Sequence, residues 1–193
     1  MSESRPTEYF MLDSRDAEDT MLLRSLQDVG GVTWYSGRRF TAPVPDPLYV
    51  DIVEGYESDT VPLSYNSNVP LMRDDLLACL KSNGADNIDS YPGIIRNTVT
   101  GEETHGYSAI NIIGLVRAAD PAETFYYEAN PSRLIDADID SLAIDAKRAH
   151  GFLLFRLAEC VTGVVVHEKL RRAVEADGRF PDTVFLNPKD WMG

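Results

Sequence analysis

The sequence predicts an α+β fold: a mixed, mostly antiparallel sheet with a few helices packed on it. Three observations carry this. Short apolar runs of strand length are interspersed with amphipathic segments of helical period. Their order follows no regular βαβ alternation, which a doubly wound sheet would require. The composition, 44% hydrophobic and 25% charged over 193 residues, is that of a globular chain able to bury one sizeable core. The expected organisation is a single domain over 1–193, divisible into an N-terminal lobe of 1–88 and a C-terminal lobe of 89–193.

The elements follow in chain order. Tyr9 to Leu12 is expected as the first strand. Thr20 to Leu26 carries Met21, Leu22 and Leu26 and suits a short helix. Thr33 to Phe40, with Trp34, Tyr35 and Phe40, reads as a strand or hairpin arm. Pro43, Pro45 and Pro47 then impose an extended surface segment. Tyr49 to Val53 is a strand. Asp74 to Lys81 places Leu76, Leu77 and Leu80 at helical spacing, and Asn83-Gly84 stops that helix. Ile94 to Val99 and Tyr107 to Val116 flank Thr100-Gly101, a hairpin with a loop longer than two residues. Phe125 to Tyr127 adds a further strand. Pro131 to Arg148 is a polar, acidic loop with a short helical or extended piece.

The C-terminal third has the clearest signals. Phe152 to Leu157 is apolar except for Arg156 and is short enough for a buried strand. Val164-Val165-Val166 is β-branched and favours extended backbone. The period then changes: Leu170, Ala173 and Val174 fall at i, i+3 and i+4, one face of a helix. Glu168 and Arg172 form a favourable i, i+4 pair, Gly178 is a plausible C′ residue, and Pro181 prevents early continuation. Thr183 to Leu186 returns as a strand. The expected order is strand, strand, helix, strand.

These words resemble a bacterial immunity-protein family encoded beside polymorphic toxins, often effectors of contact-dependent or type VI secretion. The matching segments are Leu154-Phe155-Arg156-Leu157-Ala158-Glu159, Val164-Val165-Val166, Glu168-Lys169-Leu170 and Ala173-Val174-Glu175-Ala176. Upstream, Tyr107-Ser108-Ala109-Ile110-Asn111-Ile112-Ile113 is similar to the family's tyrosine-to-asparagine strand. A weaker likeness reaches back through Asn87 to Pro92 and to Pro70-Leu71. His167 departs from the pattern, because the family more often has a small hydroxyl residue there. A Ser would cap the following helix, whereas His is expected to be a poorer cap. The resemblance implies a protein that binds a cognate toxin as a heterodimer in the cytoplasm and blocks its active site, with no catalysis of its own.

Charge agrees with a protein partner. Thirty-one acids against eighteen bases give a net charge of −13, a field that repels nucleic acid and anionic membrane and attracts basic surfaces. A nuclease is the first expectation for the toxin, since a basic nucleic-acid cleft complements an acidic inhibitor. Lys169, Arg171 and Arg172 are the densest basic group, and acids interrupt it. No apolar run is long enough to span a bilayer, and the first residues lack a basic head with an apolar signal core. The expected location is the cytoplasm.

Chemical motifs fail on spacing. Asp136, Asp138 and Asp140 begin like a calcium loop, but Ser141 and Lys147 stand where Gly and Glu are needed. His105, His150 and His167 are scattered, with His105 expected in the loop after Gly101, and no zinc-ligand spacing appears. Cys79 and Cys160 are expected to be free, partly buried thiols. No nucleophile elbow or phosphate loop is present, so no metal or cofactor is expected. Two acidic clusters remain as candidate binding faces. The first is Asp46, Asp51, Glu54, Glu57 and Asp59, with Tyr49 and Tyr56 among them. The second centres on Asp136, Asp138 and Asp140 within an acidic run from Asp120 to Asp145. Carboxylates would steer a partner and the aromatics would supply contact area. The alternatives are an enzyme that uses carboxylates on a small substrate, or a non-catalytic adaptor domain.

Overall fold

The structure is a computed structural model that describes residues 8–14, 23–25, 31–53, 64–65, 68–127 and 137–193. Its elements are β1 (Tyr9–Ser14), β2 (Leu23–Arg24), β3 (Leu48–Ile52), β4 (Ser64–Tyr65), β5 (Leu71–Arg73), α1 (Asp74–Ser82), β6 (Ile88–Arg96), β7 (Glu103–Ile112), β8 (Leu115–Val116), β9 (Phe125–Tyr126), β10 (Ile139–Ser141), β11 (Leu154–Leu157), β12 (Val164–His167), α2 (Glu168–Asp177) and β13 (Thr183–Leu186). This is an α+β fold.

One sheet has the order β13-β1-β12-β11-β8, and a second has the order β2-β3-β6-β7-β5-β4. Both are mixed. In the first, β8 runs parallel to β11 and the other pairs are antiparallel. In the second, β3 runs parallel to β6. The central unit of the second sheet is the β6–β7 hairpin, whose register shifts between Gly93 and Ile95. Pro92 is tolerated inside β6 because pairing with β3 begins only at Gly93. A separate two-stranded ribbon is formed by β9 and β10.

Period-2 alternation sorts the side chains into three clusters. Ile110 and Ile112 of β7, Leu154 of β11 and Val166 of β12 share a core with Leu76, Leu77 and Leu80 of α1 and with Leu170 and Val174 of α2. Both helices therefore pack in a core to which both sheets contribute. Their neighbours in the strands face the other way. Tyr107 and Ala109 join Leu48, Val50, Ile95 and Trp34. Phe155, Leu157 and Val165 join Tyr9, Met11, Ile139 and Leu142. Burying each of the large apolar side chains contributes about 1.5–3 kcal/mol.

The C-terminal third has the expected order. Helix α2 ends at Gly178, whose φ of +73° is the left-handed conformation that suits glycine at C′. Its start differs from expectation. His167 caps the helix, with Nδ1 accepting the Lys169 backbone N–H at 3.0 Å. The ring nitrogen reaches the same donor that a Ser hydroxyl would satisfy.

Three further expectations are corrected. Leu23–Arg24 lies in a strand paired with Ile52 and Asp51, not in a helix; the remaining positions of 20–26, apart from Ser25, lie outside the described residues. Leu23 and Ser25 are buried and Arg24 is exposed, which is strand alternation. Residues 33–40 form turns, not a strand. Gly37 there has a φ of +66° and packs so close to Leu115 that a Cβ would lie 2.8 Å from its side chain. The aromatics serve packing instead, with Trp34 edge-on to Phe40 and Tyr91. His105 lies within β7 rather than in the preceding loop, and is exposed.

Candidate functional site

The two acidic clusters have different fates in the fold. In the first, Asp46 is exposed. Asp51 is mostly covered and accepts a hydrogen bond from Nε of Arg96 at 2.8 Å. The same guanidinium lies 4.7 Å from the Tyr49 ring centroid. The parallel pairing of β3 with β6 sets Asp51 opposite Arg96, so this part of the cluster carries its own counter-charge. Glu54, Tyr56, Glu57 and Asp59 lie outside the described residues.

The second cluster is built on the β9–β10 ribbon. Tyr126 is opposite Ile139, and both turn towards the core that holds Phe155 and Leu157. Their neighbours point outwards. Phe125 is 63% exposed and Tyr127 is 66% exposed, while Asp138 and Asp140 are exposed on either side of the buried Ile139. The Tyr127 backbone N–H donates to the Asp138 carbonyl at 3.1 Å. The ribbon thus presents two aromatic side chains and two carboxylates on its outer face. Asp136 lies outside the described residues. Asp120 and Asp145, at the ends of the acidic run, accept backbone N–H groups of Ala122 and Lys147 and shape turns.

Sequence reasoning missed the exposure of Phe125 and Tyr127. They were legible as strand residues, but a Phe-Tyr-Tyr run does not reveal which members face outwards. Only the register with β10 separates Tyr126 from its neighbours.

Buried polar groups form a second point of interest. Arg156 is fully buried in β11. Its Nη1 donates to the Val161 carbonyl at 3.0 Å, and its guanidinium carbon lies 4.5 Å from the Tyr35 ring centroid. Loss of hydration pushes its pKa down to about 10. Arg156 lines a cavity of about 190 Å³ between β1, β5, β7 and the C-terminal residues. Asp13 is the sole side-chain carboxylate among the described residues of that lining. Glu159 is also buried, and burial pushes its carboxyl up from the ordinary value.

The remaining candidate chemistry is dispersed. Cys79 and Cys160 are both free and buried, and burial pushes the Cys79 thiol up, away from the reactive thiolate. Among the described residues no group of three or more His, Cys, Asp or Glu side chains could hold a metal ion. On α2, Arg172 pairs with Glu168 at 2.8 Å and Arg171 lies 3.7 Å from Glu175, so the densest basic group is offset by acids. Among the described residues no helix is long and apolar enough to cross a membrane. No known family model matches the chain, and none of the curated proteins compared with it is a match.

Proposed function

We propose that this is an immunity protein that binds one cognate bacterial toxin in the cytoplasm and covers its active site, without chemistry of its own. The observation that carries the proposal is the outer face of the β9–β10 ribbon, where Phe125 and Tyr127 are exposed beside Asp138 and Asp140. Exposed aromatics flanked by carboxylates are suited to anchoring on a partner while the acids steer a basic surface towards them. The net charge of −13 extends that steering beyond the contact itself. The resemblance of the 107–113 and 154–176 segments to immunity proteins supports the same reading. The toxin is proposed to be a nuclease, because its nucleic-acid cleft would offer the complementary positive field.

The test is co-expression with the toxin encoded beside this chain, followed by co-purification and an assay of toxin activity in trans. The expected result is a stoichiometric complex and cells that survive. Unprotected cells and separate elution of the two proteins would overturn the proposal.

A further inference from the structure

The cavity beside Arg156 has the chemistry of a small-molecule site and borders the ribbon through Gly193, whose backbone pairs with Ile139. Leu71, Met72, Ile110 and Ile112 give it apolar, mostly buried walls. Its rim carries Asp13, Thr162 and Met192, all exposed. Arg156 belongs to its lining and is 0% exposed.

The guanidinium is only partly used. Nη1 is held by the Val161 carbonyl. Nε and Nη2 have no hydrogen-bond partner among the described residues and almost no accessible surface. Those two nitrogens carry the parallel N–H groups of the side-on fork, the edge that receives both oxygens of a carboxylate. A buried cation with two unpartnered nitrogens is costly. The ring of Tyr35, 4.5 Å from the guanidinium carbon, offsets part of that cost, but Nε and Nη2 remain without hydrogen-bond partners.

We propose that this cavity binds a small monocarboxylate with an apolar body, whose two oxygens accept the Nε and Nη2 hydrogens of Arg156. Size sets the class: an apolar cavity of about 150 Å³ takes a benzene-sized molecule, and this one is about 190 Å³. Because the fork has almost no accessible surface, binding requires the unbranched side chains of Met72 and Met192 in the lining to change rotamer. Met192, 68% exposed, stands at the entrance.

The test is calorimetric titration of the full chain with benzoate and hexanoate, each against its neutral amide. The acids are expected to bind at least about tenfold more tightly than the amides, a difference of about 1.4 kcal/mol, and to raise the melting temperature with concentration. Arg156→Lys keeps the charge but not the fork and is expected to weaken benzoate binding about tenfold or more. Arg156→Met should abolish the preference for acid over amide. If either variant fails to fold, the acid-to-amide comparison on the unaltered chain decides, together with the Arg156 Nε–H resonance, which should shift with benzoate and not with benzamide. Equal binding of acid and amide, or no binding of either acid at about 10 mM, would overturn the proposal. Arg156 would then serve only to hold the Val161 turn and lie over the Tyr35 ring. Toxin protection does not enter this test, so its outcome is independent of the immunity proposal.

Discussion

His167 holds both ends of a junction: Nδ1 accepts the Lys169 N–H at 3.0 Å, and Nε2 lies 3.1 Å from Oε1 of Glu8. Because Nδ1 accepts, the neutral ring carries its hydrogen on Nε2 and donates it to the carboxylate. One side chain therefore caps α2 and ties it to the residue preceding β1. His167→Ala should destabilise the fold by about 1 kcal/mol, the usual cost of a lost N-cap. His167→Ser restores the cap without the Glu8 bond and should recover most of the loss. Urea unfolding of the two variants checks this; equal stability of both with the parent would show that the cap contributes nothing.

The adjoining helix rests on one deep contact. Leu170 is fully buried among residues of both helices and both sheets. Leu170→Asp removes the apolar contact and places a charge without a partner in that core, which should cost at least about 3 kcal/mol. Circular dichroism melting reads the outcome. A soluble variant that melts like the parent would mean α2 presents a different face to the core.

Glu159 makes stability depend on pH in an identifiable direction. The residue is 6% exposed, and Oε2 has no hydrogen-bond partner among the described residues. Burial raises its pKa above the ordinary 4.5 despite backbone hydrogen bonds that oppose the shift. An acid with a raised folded pKa supports the fold below the unfolded value, and that support is lost as pH rises through the folded value. Glu159→Gln removes this dependence. The Gln variant's melting temperature relative to the parent should therefore increase from pH 4 to pH 7, a range that begins just below the ordinary value of 4.5. A constant difference across that range would exclude Glu159 as the source.

The local signals explain which parts of this fold the sequence makes legible. For α2, the spacing of Leu170 and Val174, the Glu168–Arg172 pair and Gly178 act within a few turns of chain, and each is visible in order. Helix α1 is equally local: Asn83 donates its backbone N–H to the Cys79 and Leu80 carbonyls, and Gly84 follows with a φ of +108°. Features set by distant partners are not visible. Leu23–Arg24 is a strand because β3 pairs with it, and two residues hold no period of their own. Trp34, Tyr35 and Phe40 look like strand residues, but close approach to Leu115 turns the chain at Gly37. Asp51 stands among acids in sequence, yet its counter-ion Arg96 arrives from another strand. Arg156 reads as a charge interrupting an apolar run; its place over the Tyr35 ring and its unpartnered Nε and Nη2 exist only after folding.

The two candidate faces make different predictions for association with the proposed toxin. On the ribbon, Asp138→Lys with Asp140→Lys should slow association several-fold, because both acids are exposed on its outer face and act through the field ahead of contact. The effect should shrink as salt shortens the reach of charge to about 8 Å at physiological ionic strength. Phe125→Ala and Tyr127→Ala should act differently, speeding dissociation by removing anchors while leaving the association rate nearly unchanged. On the other face, Asp46→Lys is the clean probe, since reversing Asp51 would also break its pair with Arg96 and disturb the fold. Stopped-flow binding at two salt concentrations separates these effects. If Asp46→Lys slows association while none of the ribbon variants changes either rate, the proposed toxin docks on the β3 side and the ribbon is not the binding face.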